Sequence, residues 1–214
     1  MCTRSVNPFT VTDPAAVRAF VEAHPFGTLI AVDEQDEVVV GHAPFVASFD
    51  ARGTLTELRA HFAQSNPVAR LAAARGRATV LFEGPNAYVS ATWYGHPDEE
   101  VPTWNYLVAT ARGRVSAPMP RPELTALLDA LAAHHEAIEN FPWSRDRVPA
   151  AEIEALLDAI VGLTLHVERI EVRAKVSQNR SPEDRIRVAR VLAARGGHGA
   201  ELAAWMHRLG VVDP

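Results

Sequence analysis

Aromatic and short polar side chains alternate in one stretch of the sequence, and this combination could bind a flat ligand. Residues 82–106 contain all three tyrosines and two of the four tryptophans, interspersed with serine, threonine and asparagine. Aromatic rings beside hydroxyl and amide groups are typical of sites for partly polar small molecules. Tyrosine and tryptophan also favour strands, so a pair of strands whose aromatic residues only pack is an equal alternative.

Two histidines and one polar segment add further hydrogen-bonding groups. His42 and His61 lie near predicted strand ends, where an imidazole can bind a carbonyl or a phosphate. A ring satisfied by backbone groups at a sheet edge is the equal alternative for both. Residues 175–180 read Lys-Val-Ser-Gln-Asn-Arg, and such cationic and amide groups suit a phosphate or a sugar. A solvated loop before a helix is the alternative for this segment.

Other kinds of chemistry find little support. The sequence has no P-loop, no dinucleotide-binding glycine motif and no Gly-x-Ser-x-Gly elbow, and its single cysteine is Cys2. His134 and His135 are adjacent and point to different helix faces, unlike the two ligands of His-Glu-x-x-His. We therefore predict no metal site, and the sequence identifies no catalytic residue.

The net charge and the hydropathy of the sequence argue against nucleic-acid and membrane partners. The net charge is −5, which argues against a surface dedicated to nucleic acid. Arg187 and Arg190 share a helix face in a more basic C-terminal region, but a solvated face is the favoured interpretation. No apolar run approaches the ~20 residues that cross a bilayer. Together with the absence of a signal peptide, this predicts a cytoplasmic protein without membrane contact.

The predicted elements form a mainly antiparallel arrangement. A helix begins at Pro14 and stops at Pro25, and a short helix over 67–74 is capped by Ser65 or Asn66, whose first N–H groups attract anions. Pro44 indicates an edge strand or a bulge. The strands are predicted over 27–32, 38–46, 55–61, 77–82, 87–91 and 104–115, with turns at 33–36, 48–53 and Gly84-Pro85.

The C-terminal half is predicted to be largely helical. After a linker at 119–122, an apolar stripe predicts a helix ending at 134–135, and another helix starts at Pro149. A strand over 161–172 precedes a helix capped by Ser181, a glycine loop at 196–199 and a last helix over 200–209. Because strands and helices do not alternate, the fold class is α+β, mainly β, with a small antiparallel barrel.

Five segments, in order, resemble a known family. Residues 82–94, 101–106 and 175–180 resemble signature blocks of the PaiB-type, FMN-binding negative transcriptional regulators, and 42–45 and 61–67 resemble two further blocks. The resemblance covers about residues 7–195. It implies an FMN-binding split β-barrel akin to pyridoxamine 5′-phosphate oxidase, in which two subunits form the flavin sites. Residues 1–118 would form the N-terminal part of the barrel. Residues 119–214 would hold a helical insertion, a returning strand (about 161–176) and C-terminal helices, within one compact domain.

The resemblance also implies which residues bind the cofactor. The ring system would be bordered by His42, Pro44 and Phe45. The phosphate or the ring would be contacted by His61, Gln64, Ser65 and Asn66. The site would be walled by Tyr88, Ser90, Trp93 and Trp104, and closed by Lys175 and Gln178.

One block departs from the family pattern. Relatives read closer to Gly-His-x-Ala-Arg-Ala-Asn-Pro, whereas residues 60–67 read Ala-His-Phe-Ala-Gln-Ser-Asn-Pro and lack the arginine. If that arginine contacts phosphate in relatives, this chain loses an always-charged donor. The helix over 67–74 and Lys175 would then have to supply the anion contacts.

Three classes of function are compatible with the sequence. The first, which we favour, is a homodimeric FMN-binding protein with flavin-dependent oxidoreductase activity. The second is a DNA-associated transcriptional repressor without catalysis, although no helix-turn-helix signature is visible and DNA binding is weakly supported. The third is a binder of haem or another planar cofactor, with His42 or His61 as axial ligand.

Overall fold

A computed structural model describes residues 7–213, so that Cys2 lies outside the described part. Eight strands and six α-helices occur among these residues. The strands are β1 (Thr10–Val11), β2 (Phe26–Val32), β3 (Val38–Pro44), β4 (Val46–Phe49), β5 (Leu55–Ala63), β6 (Arg77–Val89), β7 (Thr103–Val115) and β8 (Ile160–Lys175). The helices are α1 (Pro14–Ala23), α2 (Pro67–Arg75), α3 (Arg121–Glu136), α4 (Ala150–Asp158), α5 (Pro182–Arg195) and α6 (Gly197–Arg208).

One sheet contains all the described strands. Its order is β3-β2-β6-β7-β8-β5-β4, and β1 pairs with β8. The registers of β2 with β3 and β6, and of β5 with β4 and β8, are antiparallel. The predicted fold class, α+β with a mainly antiparallel sheet, is therefore confirmed. Pro44 ends the edge strand β3, as the missing N–H of proline requires.

The described chain divides into two compact units, each assembled from separate segments. The first unit comprises residues 7–20, 83–109 and 171–213, and the second comprises residues 21–82 and 110–170. The long strands β6, β7 and β8 contribute residues to both units. The two units thus interleave along the sequence.

The core of the second unit follows the two-residue period of its strands. Leu29, Leu58 and Leu163 are fully or almost fully buried on β2, β5 and β8, on the core-facing side of each strand. Phe45 lies edge-to-face against Phe62 and Phe82, at 6.4 and 5.6 Å between ring centroids. This packing fixes the chain where it leaves β3.

Helices α5 and α6 supply much of the core of the first unit. Leu192 of α5 and Leu202 and Met206 of α6 are fully buried. Phe20 packs edge-to-face on Trp205 at 5.8 Å between centroids. The predicted cap of α5 is confirmed, because the Ser181 side chain accepts a hydrogen bond from the Asp184 N–H.

The predicted turn at Gly84-Pro85 is wrong, because β6 is one continuous strand. Both residues are buried. A Cβ at position 84 would lie 2.5 Å from Phe20 Cε2, so this glycine serves close packing rather than a turn. The register of β2 with β6 ends at Phe82, so the missing N–H of Pro85 interrupts no β2 pairing.

Four further predictions need correction. The predicted strand over 38–46 breaks at Phe45, whose N–H donates to the Pro25 carbonyl, and residues 46–49 form β4 instead of a turn. The predicted glycine loop is the first turn of α6, which begins at Gly197. Gly199 packs so closely on α5 that a Cβ would lie 2.7 Å from the Leu192 carbonyl oxygen. Helix α3 likewise begins at Arg121, inside the predicted linker.

Candidate functional site

The start of α2 lies against β3 in the second unit, and we call this place the β3–α2 junction (residues 41 and 64–70). A Cβ at Gly41 would lie 2.5 Å from Val68 Cγ1 and 3.1 Å from Asn66 Nδ2. Only glycine lets the helix approach the strand this closely. Gly41 therefore places the block 61–67 beside β3, whereas His42 and Pro44 lie on the opposite face of the sheet from Gly41.

Helix α2 begins with its cap at the junction. Asn66 Oδ1 accepts a hydrogen bond from the Val68 N–H at 3.0 Å, and Pro67 occupies the first helical position. The prediction that Ser65 or Asn66 caps this helix is confirmed for Asn66. The remaining N–H groups of the first turn and the positive end of the helix dipole favour an anion at this end.

Gln64 and Arg70 add a cation to the junction. The Gln64 side chain donates to the Ile160 carbonyl at 3.1 Å and accepts from Arg70 NH2 at 2.9 Å. The Gln64 side chain thus connects Arg70 to β8, and Arg70 itself is exposed. Arg70 supplies the kind of charge that is missing from residues 60–67.

His42 and His61 occupy different surroundings. The exposed ring of His42 is oriented by Thr28, whose Oγ1 lies 3.0 Å from Nδ1, and it stacks on Phe26. His61 is partly buried, and its buried Nδ1 has no hydrogen-bond partner within residues 7–213. Burial lowers the pKa of His61 from 6.5. A neutral imidazole with an unsatisfied nitrogen can hydrogen-bond a ligand or a water.

An exposed apolar surface lies on β2 and β3, and we call it the β2–β3 face. The register places Phe26, Ile30 and Val32 opposite Pro44, Val40 and Val38, on the same side of the sheet. Phe26 is 64% exposed, Val38 62% and Val40 47%. Thr28 and His42 share this side. An uncovered apolar patch of this kind is typical of a protein–protein interface.

Tyr88 and Trp104 form an exposed aromatic pair in the first unit. Their ring centroids are 6.2 Å apart in an edge-to-face arrangement, and both side chains are about half exposed. Trp104 Nε1 donates to Asn86 Oδ1 at 3.2 Å, which fixes the orientation of the indole. The pair offers a rigid aromatic surface. Its contact with a ligand stays a prediction.

The segment 175–180 packs against the segment 94–105 in the first unit. Lys175 Nζ donates to Thr103 Oγ1, and Asn105 Nδ2 donates to Ser177 Oγ at 2.9 Å. Arg180 forms an ion pair with Glu100. Asn105 is completely buried, and its Oδ1 has no hydrogen-bond partner among the described residues. Such an unsatisfied acceptor is a place for a water or a ligand donor.

Three predicted site residues make internal contacts. Ser90 Oγ caps the short turn Ala91–Trp93 by accepting from the Thr92 N–H. The Arg195 guanidinium lies over the indole ring of Trp93, 4.5 Å from the ring centroid. The Gln178 amide accepts from the Val176 N–H and donates to the Ala174 carbonyl. These contacts position the segments, and a role in binding stays a prediction for all three.

Sequence reasoning missed two residues of the β3–α2 junction. No local signal identifies Gly41, because nothing nearby in the sequence distinguishes a glycine that accepts a helix from one that merely interrupts a strand. Arg70 carried a usable signal, since it stands four residues after the cap Asn66 and side chains of a helix lean toward its N-terminus.

Two absences can be stated for residues 7–213. No group of three or more His, Cys, Asp and Glu residues is arranged to hold a metal ion there. None of the helices in the same range has the length and apolar character needed to span a bilayer.

The chain is similar to a known domain family and to several known proteins. The family model described as "Putative FMN-binding domain" matches residues 5–169. The chain is 33% identical over 180 residues to the protease synthase and sporulation protein PAI 2 of Bacillus subtilis, which covers 84% of each chain. Among solved structures it resembles the FAD and heme binding protein of Mycobacterium smegmatis, with 18% identity and a TM-score of 0.57 over 88% of this chain and 80% of that one.

A second solved structure has a similar fold. The flavocytochrome Anf3 of Azotobacter vinelandii is 12% identical, with a TM-score of 0.53 over 79% of this chain and 72% of that one. At such low identity, both structural comparisons establish the fold alone.

Proposed function

The chain belongs to the FMN-binding domain family, and we propose that it is a homodimer that binds FMN for flavin-dependent redox chemistry. The observation that carries FMN binding is the β3–α2 junction. There a helix N-terminus and the Arg70 guanidinium stand beside a position where a side chain is excluded. These groups match the chemistry of a phosphate monoester.

The residues of the junction fit the phosphate end of FMN. Ser65 and Asn66 offer hydroxyl and amide groups, the first turn of α2 offers N–H groups, and Arg70 offers a planar cation. The arginine missing from residues 60–67 is thereby replaced by one from the following helix. Arg70 needs no large rearrangement for this role, because Gln64 already holds it near the start of the helix.

Homodimerisation is supported by the β2–β3 face. Burying a valine or phenylalanine side chain contributes roughly 1.5–3 kcal/mol, so leaving Phe26, Val38 and Val40 in water forgoes several kcal/mol. In a symmetric dimer the same face of both copies would be covered at once. His42 lies on this face, within reach of anything that a second copy brings to it.

FMN supplies hydride- and electron-transfer chemistry when it is bound. The protein's own contribution is to hold and orient the cofactor and to place hydrogen-bonding groups beside it. His61 is suited to this task because burial lowers its pKa and keeps the ring neutral at pH 7. A neutral ring can donate from one nitrogen and accept at the other.

The first experiment is a titration of the purified full chain with FMN, followed by quenching of flavin fluorescence and by absorbance. We expect saturable quenching and a yellow complex whose colour is lost when NADH or NADPH is added without oxygen. Unquenched FMN would refute the flavin assignment. A Soret band with added haem but no flavin binding would favour the haem-binding alternative, and retarded promoter DNA would favour the repressor.

The second experiment concerns assembly. Size-exclusion chromatography with light scattering should give a dimer for the wild-type chain. Val40→Asp places a charge on the β2–β3 face and should shift the mass toward the monomer. Ile138→Asp is a matched control, because Ile138 is 87% exposed and lies outside this face. A strictly monomeric wild type, or two variants with equal effect, would refute the proposed interface.

A further inference from the structure

Ser116, His166 and Glu57 form a chain of contacts in the second unit. Ser116 Oγ lies 2.6 Å from His166 Nε2, and His166 Nδ1 lies 3.2 Å from Glu57 Oε1. The order is hydroxyl, imidazole and carboxylate, with a different ring nitrogen on each side. This is the arrangement by which serine hydrolases activate a nucleophile, and it recurs on unrelated folds.

Backbone pairing positions all three residues. Glu57 on β5 is the direct antiparallel partner of His166 on β8, so the two side chains stand on the same face of the sheet. Ser116 follows directly after β7, and its N–H donates to the Thr164 carbonyl at 3.0 Å. Gly113 lets β7 approach β8, because a Cβ there would lie 1.9 Å from the His166 carbonyl oxygen. The arrangement is therefore set by rigid strands.

The neighbouring carboxylate favours one tautomer of His166. A proton on Nδ1 can be donated to Glu57, which leaves Nε2 as the acceptor for the Ser116 hydroxyl. In this state Nε2 can take the hydroxyl proton as the oxygen attacks a carbonyl carbon. His166 is 52% exposed, so a substrate can reach the pair from solvent.

A cavity of about 280 Å³ adjoins these residues. Its lining includes Ser116, His166, Glu57, Arg59 and Ala117. Arg59 Nε is buried and has no hydrogen-bond partner among the described residues. The backbone N–H of the residue after a nucleophilic serine is a usual oxyanion donor, and Ala117 lines this cavity. The size suits a small ester, and the guanidinium suits a carboxylate on its acyl part.

We propose that Ser116, His166 and Glu57 form a hydrolytic site for small carboxylic esters, with Arg59 favouring anionic acyl groups. Ser116 Oγ bonds to the carbonyl carbon while its proton passes to His166 Nε2. The bond to the alcohol oxygen then breaks, and the alcohol leaves with that proton, so that the acyl group stays on Ser116. Water attacks this acyl ester with the same base, which releases the acid and restores the serine.

The reaction transfers no electrons and needs no flavin. It is therefore independent of the proposed function, and the two can fail separately. Running every assay with and without added FMN makes this distinction directly.

The test uses the full chain and a fluorophosphonate probe, with the labelled residue located by peptide mass. We expect one adduct, on Ser116, and none in Ser116→Ala, whereas Ser144→Ala should label like wild type. Ser144 is a matched control because it is exposed and its side chain makes no capping hydrogen bond. Mapping the adduct in wild-type protein does not depend on the folding of any variant.

Steady-state hydrolysis tests the other residues. Glu57→Gln keeps the shape of the carboxylate and should slow labelling and 4-nitrophenyl acetate hydrolysis at least about tenfold, as loss of the orienting acid does in serine proteases. Arg59→Gln should lower kcat/KM for the 4-nitrophenyl hemiester of succinate more than for the acetate. Absence of an adduct on wild-type Ser116, or equal labelling of Glu57→Gln, would overturn the proposal and leave the three residues as a structural clamp on β8.

Discussion

Replacing Arg70 by alanine removes the cation from the β3–α2 junction and leaves the backbone of α2 in place. In the structure Arg70 is exposed, and its guanidinium donates a hydrogen bond of 2.9 Å to Gln64 Oε1. Alanine is the best helix former, so the helix itself should not suffer. We therefore expect the free energy of unfolding without FMN to change by about 1 kcal/mol or less.

The effect on FMN binding should be larger and specific to the phosphate. A hydrogen bond between a guanidinium and an anion is worth about 1.5–3 kcal/mol, which corresponds to a 10- to 150-fold weaker Kd. Riboflavin has the same ring and ribityl chain but no phosphate. Its affinity should therefore be almost unchanged in Arg70→Ala, and the preference for FMN over riboflavin should shrink by the same factor.

The assay is a fluorescence titration of wild type, Arg70→Ala and Arg70→Lys with FMN and riboflavin at several salt concentrations. Arg190→Ala is a matched control, since Arg190 is also an exposed helical arginine. The salt dependence of FMN binding should be smaller in Arg70→Ala than in wild type. Equal weakening of FMN and riboflavin, or no weakening of either, would refute the assignment of Arg70 to the phosphate.

Two further changes test the packing and the titration of the same region. Gly41→Val would place its Cβ 2.5 Å from Val68 Cγ1, so it should destabilise the fold by about 1–3 kcal/mol in urea unfolding and weaken FMN binding; an unchanged midpoint and Kd would contradict the close approach. Burial lowers the pKa of His61 from 6.5, so the unfolded chain binds a proton that the folded chain does not, and stability falls as the pH drops below about 6.5. The free energy of unfolding is measured in urea between pH 7.5 and 5.5. It should depend less on pH in His61→Gln than in wild type or in His198→Gln, whose substituted residue is exposed. Equal pH dependence in all three proteins would contradict the lowered pKa of His61.

Local signals in the sequence predicted the elements of the site well. Asn66 and Pro67 start α2 as predicted, and Ser181 and Pro182 start α5, because capping acts through backbone groups only two or three residues away. The strands β2, β5, β7 and β8 were predicted within a few residues of their bounds, since alternation and turn residues are also local. Blocks of the sequence were enough to place the chain in its family.

Local signals failed where glycine and proline serve distant contacts. Gly84 and Pro85 have the composition of a turn, yet they continue β6 because Phe20 packs where a side chain of residue 84 would be. Gly199 was predicted in a loop, but it is a buried helical residue pressed against α5. A sequence window cannot reveal which of these uses a glycine has, because the partner lies far away along the chain.

The sequence by itself determined the strand-rich fold class, the helix caps and the residue types available for a planar, phosphorylated ligand. Only the tertiary structure decided that α2 starts against Gly41, that Gln64 holds Arg70, and that Ser116, His166 and Glu57 meet. Along the sequence, Glu57 and Ser116 are 59 positions apart, and Ser116 and His166 are 50 positions apart. Their meeting depends on strand register, and a shift of one residue would turn every side chain to the opposite face. The register is fixed by the packing of the whole sheet.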